Sequence, residues 1–166
     1  MAAPDIVMYE EEFNHIKQII SKLRVDSNAK VVFLVDKNGQ QIAAHGEIEN
    51  LDTTSLASLT AGNVAATDGL ARLIGEKEFS ILFHEGERDN IHISIVAQRV
   101  ILVVIFDERS SLGLVRLRVK KASVELGEVF GRIMAKVEKE RAVAGTAFES
   151  PFAEITDDDI DALFSE

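Results

Sequence analysis

The chain has four histidines, His15, His45, His84 and His92, and only the last two fall close enough to meet. They flank a turn at Gly86–Asp89, so as cross-strand neighbours in a hairpin they could share a metal. The plainer expectation is two solvated strand residues. Asp157-Asp158-Asp159 offers three adjacent carboxylates to Mg²⁺ or Ca²⁺, but it lacks the ligand spacing and glycine of an EF-hand loop. Thr156 as a cap, with Asp159 at the box position, accounts for it better as a helix start. Arg72, Arg99 and Arg109 could each offer a guanidinium to a phosphoryl-transfer transition state, and nothing around them singles one out. Arg116, Arg118, Lys120 and Lys121 form a basic cluster that reads either as a solvated helix face or as a contact for acidic groups, the chain's own end included. Cysteine is absent, which excludes disulfides, thiolate nucleophiles and Cys-based zinc sites. There is no P-loop. No catalytic residue, metal or cofactor is expected.

The elements that must position these groups are legible from periodicity. Met8–Arg24 carries Phe13, Ile16, Ile19, Ile20 and Leu23 on one helical face, with Glu10, Glu11 and Glu12 at the positive end of its dipole. Ala29–Asp36 has an unbroken apolar run at Val31–Val35, as a central strand has. Lys37-Asn38-Gly39 signals a hairpin, and Gln40–His45 returns as a more polar edge. Thr53–Gly75 reads as one helix, capped by Thr53 or Thr54 and closed by Gly75. Three strands follow, Phe79–Glu85, Ile91–Val96 and Val100–Asp107. A long helix then runs from Ser110 or Ser111 to about Arg141, with Leu112, Val115, Val119, Ala122, Leu126, Val129, Ile133 and Val137 as its core stripe. This order, α-β-β-α-β-β-β-α, suits an α/β sandwich: a five-stranded antiparallel sheet with helices on both faces. Val31–Val35 and Val100–Phe106 should be central neighbours.

The helix from Thr53 is unusual. Leu56, Leu59, Ala66, Leu70, Leu73 and Ile74 share one side of the wheel, which is expected to face the sheet. The other side carries Ser58, Ala61, Ala65 and Gly69 where a solvated face would carry Lys and Glu. Gly62 and Gly69 each cost roughly 1 kcal/mol relative to alanine, which a close approach by another backbone could offset. An ordinary helix buried between two layers is the plain alternative.

With 166 residues and a 46% hydrophobic share, the chain can form one domain with extra length at its ends. Its net charge is −10, yet residues 143–166 hold seven carboxylates and no Lys or Arg, leaving 21 acidic to 18 basic residues elsewhere. We therefore divide it into a domain, 1–142, and an acidic tail, 143–166. Neither part suits nucleic acid. No apolar run has membrane-spanning length and the start lacks the features of a secretory signal, so a cytoplasmic location is expected. Val143–Ser150 reads as a tether. Beyond it Ile160, Leu163 and Phe164 recur at helical spacing, a short amphipathic segment suited to docking or a disordered solubilising tail.

Lys30–Gln40 (KVVFLVDKNGQ), Asn50–Glu76 (NLDTTSLASLTAGNVAATDGLARLIGE) and Val103–Ser123 (VVIFDERSSLGLVRLRVKKAS) resemble the roadblock/dynein light chain family. Ser150–Glu166 (SPFAEITDDDIDALFSE) is similar to the tail of bacterial members that regulate a Ras-like polarity GTPase. The resemblance implies a roadblock fold and a two-fold homodimer made by joining sheet edges and pairing the second helix. It also implies that one dimer binds one Ras-like small GTPase across those helices. Hydrolysis would be stimulated by repositioning the partner's switch regions, without an arginine finger, in the control of cell polarity and motility and with concentration at a cell pole. On that basis Ser58, Ala61, Ala65, Gly69, Arg72 and Lys120 would meet the GTPase, Thr60, Val64 and Ala71 the sister helix, and Ile160, Leu163 and Phe164 would dock the tail. Two alternatives stay open: a scaffold that binds a GTPase or motor subunit without changing its rate, and a small-ligand sensor.

Overall fold

The computed structural model describes residues 8–152, with side chains over 8–145. The elements are α1 (Glu10–Ser27), β1 (Val31–Asp36), β2 (Gln41–Gly46), α2 (Thr53–Leu73), β3 (Ile81–Glu85), β4 (Asn90–Val96), β5 (Val100–Phe106) and α3 (Leu112–Phe152). They form a single antiparallel sheet in the order β2-β1-β5-β4-β3. The two wholly buried strands, β1 and β5, pair from Val31↔Ile105 to Asp36↔Val100, as their unbroken apolar runs require. The turn into β2 is held by Asp36, whose carboxylate accepts from the amides of Asn38 (2.9 Å) and Gln40 (3.0 Å). Gly39 supplies the left-handed residue at φ +90°.

Helices α1 and α3 share one face of the sheet. Ile16, Ile20 and Leu23 of α1 and Val115, Leu126 and Ile133 of α3 pack with Val32, Leu34, Leu102 and Val104. Full burial of a side chain of this size is worth about 1.5–3 kcal/mol. Near the far end of this layer Lys136 binds the buried carboxylate of Glu12, and the Tyr9 hydroxyl donates to Glu140 at 2.8 Å. Both expected helical stripes are the buried ones. Ser111 caps α3, accepting from the Leu114 amide at 3.2 Å.

Three expectations need correction. The cap of α2 is Asp52, one residue earlier than expected; its carboxylate accepts from the Ser55 amide (3.1 Å) and hydroxyl (2.6 Å). The backbone of α3 is helical through Phe152, across the stretch read as a tether. Ala142, Ala144 and Ala147 are strong helix formers, and the one glycine among them, Gly145, does not break the turn. The third concerns which side of α2 meets the sheet.

Candidate partner interface

Alone among the described elements on the second face of the sheet, α2 lies over Val31, Phe33, Val35, Ile101 and Val103. The side chains it buries are Ala57, Thr60, Ala61, Val64 and Ala71. Leu59 (72% exposed), Leu70, Leu73 (84%) and Ile74 point to solvent, as does Ala66. The helix is therefore turned about its axis from the expected orientation. The strands beneath it carry bulky branched and aromatic residues, and a small-residue stripe lets a helix sit close to such a surface. The β1–β2 turn closes in as well: a Cβ on Gly39 would stand 3.3 Å from the Ser58 Cα and 3.6 Å from the Ala61 Cβ.

Of the residues assigned to a GTPase, Ser58, Ala65, Gly69 and Arg72 are exposed on α2, whereas Ala61 is buried beneath it. Lys120 is exposed on α3, in the layer across the sheet, so the fold does not bring it to the others. Thr60, Val64 and Ala71, assigned to a sister helix, are buried within their own protomer. Ile160, Leu163, Phe164 and the Asp157–Asp159 triplet lie outside the described residues.

The close backbone approach invoked for the glycines is absent among the described residues of the protomer: a Cβ on Gly62 or Gly69 would meet nothing of them within 4 Å. What reasoning from the wheel missed is the exposed apolar set itself, Leu59, Leu70, Leu73 and Ile74. The signal was available in the coexistence of two apolar sides on one helix. Gly75, at φ +84°, ends α2 as expected. Its amide and that of Glu76 bond back to the carbonyls of Arg72 (3.2 Å) and Ala71 (2.8 Å), a Schellman closure.

The three arginines differ in what holds them. Arg109 is chelated by Asp107 (3.0 and 3.2 Å) and reaches Glu47 at 3.4 Å. Hydrogen bonding and charge from these carboxylates push its pKa further up, while the Asp107 carboxyl is held below the usual range chiefly by the bond from Arg109. Arg99 donates to the Met134 sulfur at 3.1 Å. Arg72 is exposed and makes no ion pair among the described residues.

His84 and His92 do not meet. His84 pairs with Ile91 and His92 with Phe83, which puts the imidazoles on opposite faces. His84 lies 2.9 Å from the Asn63 amide nitrogen of α2. His92 is buried, contrary to a solvated strand position. Among the described residues no group of three or more His, Asp or Glu could hold a metal, and no helix is long and apolar enough to cross a membrane.

This α-β-β-α-β-β-β-α sandwich with one lone helix on its second face has known counterparts. The Roadblock/LC7 domain family matches residues 16–106. The chain belongs to that family. Among solved structures, Myxococcus xanthus MglB is 64% identical, covering 76% of this chain and 96% of that one with a TM-score of 0.73. The gliding protein MglB of Thermus thermophilus is 30% identical over 79% of this chain and 99% of that one, with a TM-score of 0.74. A structure described as MglB with a tetrameric arrangement is 29% identical over 80% and 99%, also with a TM-score of 0.74. A search of curated proteins gave no match. This roadblock chain thus shares the fold of the MglB structures over most of its length.

Proposed function

We propose that this chain is a regulator of a Ras-like, MglA-like small GTPase, acting as a two-fold dimer without catalytic residues of its own. The observation that carries the reading is the outward side of α2. Leu59, Leu70 and Leu73 are large apolar side chains open to solvent, beside exposed Ala65 and Gly69, the latter with open space where a Cβ would stand. Apolar surface of this kind marks an interface. We assign the exposed leucines to the sister helix, with a sheet edge joined alongside, and Ser58, Ala65, Gly69 and Arg72 to the GTPase. These assignments replace Thr60, Val64 and Ala71 for self-association and leave out Ala61 and Lys120. The dimer would favour the hydrolysis-competent arrangement of the partner's switches, serving cell polarity and motility, and the acidic tail beyond the domain would strengthen the coupling.

Single-turnover GTP hydrolysis by the cognate GTPase, with and without this protein, tests the reading. Acceleration supports a GTPase-activating role; binding without acceleration makes the chain a scaffold. Ala65→Arg with Gly69→Arg should leave circular dichroism and sedimentation unchanged while abolishing binding and stimulation together. Arg72→Ala should weaken binding only. A loss of about 10³-fold in the saturated rate from that one change would restore an arginine finger.

A further inference from the structure

We infer that the cleft between β4 and the first turns of α3 binds a small organic carboxylate with an apolar body. It lies on the α1/α3 face, away from the surface assigned to the GTPase, and has a volume of about 640 Å³, within the range of small-molecule sites. On this face β4 departs from its neighbours. His92 stands opposite Val104 of β5 and Ser94 opposite Leu102, so two polar side chains replace apolar ones in the layer. Only 1% of His92 and 5% of Ser94 is exposed. Both ring nitrogens of His92 and the Ser94 hydroxyl lack a hydrogen-bond partner among the described residues, although all three are buried and line or adjoin the cleft. A buried polar group left so is costly, and a ligand accepting from the His92 N–H and the Ser94 hydroxyl would remove that cost for both donors.

The charge of the cleft selects an anion. Arg116 and Lys120 stand at its mouth, and among the described residues no carboxylate lines it. Neither cation has an ion-pair partner among the described residues. Burial, with the nearby Arg116 charge adding to it, pulls the His92 pKa down, so the imidazole is neutral at pH 7 and offers one N–H donor. The walls are apolar, Ile81 on one side and Val119 on the other. A carboxylate would take the N–H of His92 and the hydroxyl of Ser94 at the floor, drawn there by the charges of Arg116 and Lys120, while its hydrocarbon part fills the space between the walls.

Benzoate is a suitable probe, titrated into the full chain with no GTPase present, so that the outcome is independent of the regulatory reading. Isothermal titration should give saturable binding, and nitrogen-15 spectra should show a saturable shift of the His92 ring resonances. Arg116→Gln with Lys120→Gln, both on the surface, should weaken binding roughly tenfold or more, the loss of one charge-assisted contact or its equivalent. His92→Phe should remove it, and benzyl alcohol should not compete. An unmoved His92 ring, unchanged affinity in the double variant, or equal binding of benzyl alcohol would overturn the inference. Equal binding of inorganic phosphate would make this a general anion site and overturn the organic part. Should His92→Phe fail to fold, the surface variant and the alcohol decide alone.

Discussion

The two helical layers respond differently to the same rule. In α1 and α3 the side with the largest hydrophobic residues is the buried side: Ile16, Ile20, Leu126 and Ile133 are all at 1% exposure or less. In α2 the rule inverts. Ala57, Ala61, Val64 and Ala71 go inward, and Leu59, Leu70 and Leu73 go outward. The difference lies in what each layer covers and how much of it there is. Two helices can close over one face with long side chains interlocking between them and the sheet. A lone helix over Phe33, Val35 and Ile101 packs against side chains already large, and it needs small residues to come close. Large apolar residues left outside then mark an unfinished surface.

Leucine truncation breaks or sharpens this contrast most strongly. Leu126→Ala should destabilise the protein by about 2–5 kcal/mol, whereas Leu73→Ala should stay within about 0.5 kcal/mol in the monomer. Urea denaturation at low protein concentration measures both, and equal losses would erase the distinction between the layers. Ala61 gives the converse test. Ala61→Leu is a gain in hydrophobicity, yet it should cost about 1–3 kcal/mol because no room exists between α2 and the sheet; a neutral result would put this side of α2 back in solvent.

The α1/α3 layer also carries a charge clamp that α2 lacks. The hydrogen bond from Lys136 holds the Glu12 carboxyl below its ordinary range, outweighing the opposing effect of burial. A lowered folded pKa contributes stability that is present above the unfolded carboxylate value, near 4.3, and is lost as the pH falls through the folded value. Thermal midpoints of the native protein and Glu12→Gln should therefore differ at pH 7 and converge towards pH 3. A constant gap would mean that the carboxylate charge contributes nothing. The smallest expected effect belongs to Gly69→Ala. With open space around its Cβ, this change should stabilise the isolated protomer by roughly 0.5–1 kcal/mol. A loss of stability in dilute protein would indicate a close contact within the protomer.

Much of the architecture could be read directly. The continuous apolar runs of Val31–Val35 and Val100–Phe106 identify central strands because only strands covered on both faces can be so uniformly hydrophobic. The core stripes of α1 and α3 follow from period alone, since in each the longest run of apolar residues at helical spacing is the buried one. The candidate interface was only half legible. Its helix is recognisable from the Leu, Ala and Gly pattern, and Ser58, Ala65, Gly69 and Arg72 are exposed on it, but Ala61 is buried. His92 was assigned to solvent because alternation with Ile91 and Ile93 implies one wet face; the covering α3 makes that face a buried one.

The sequence by itself determined which elements form and, to within about two residues, where they begin, because caps, glycines and hydrophobic period act over a few residues. It also determined the sheet's two central members and the balance between a near-neutral domain and an acidic end. Tertiary structure alone decided which side of α2 is inside, that Lys120 and Arg72 stand on opposite faces, and that His84 and His92 point apart. Those outcomes depend on strand register and on the volume of the surface each helix meets. Both are set by residues far away in the chain, so no local pattern carries them.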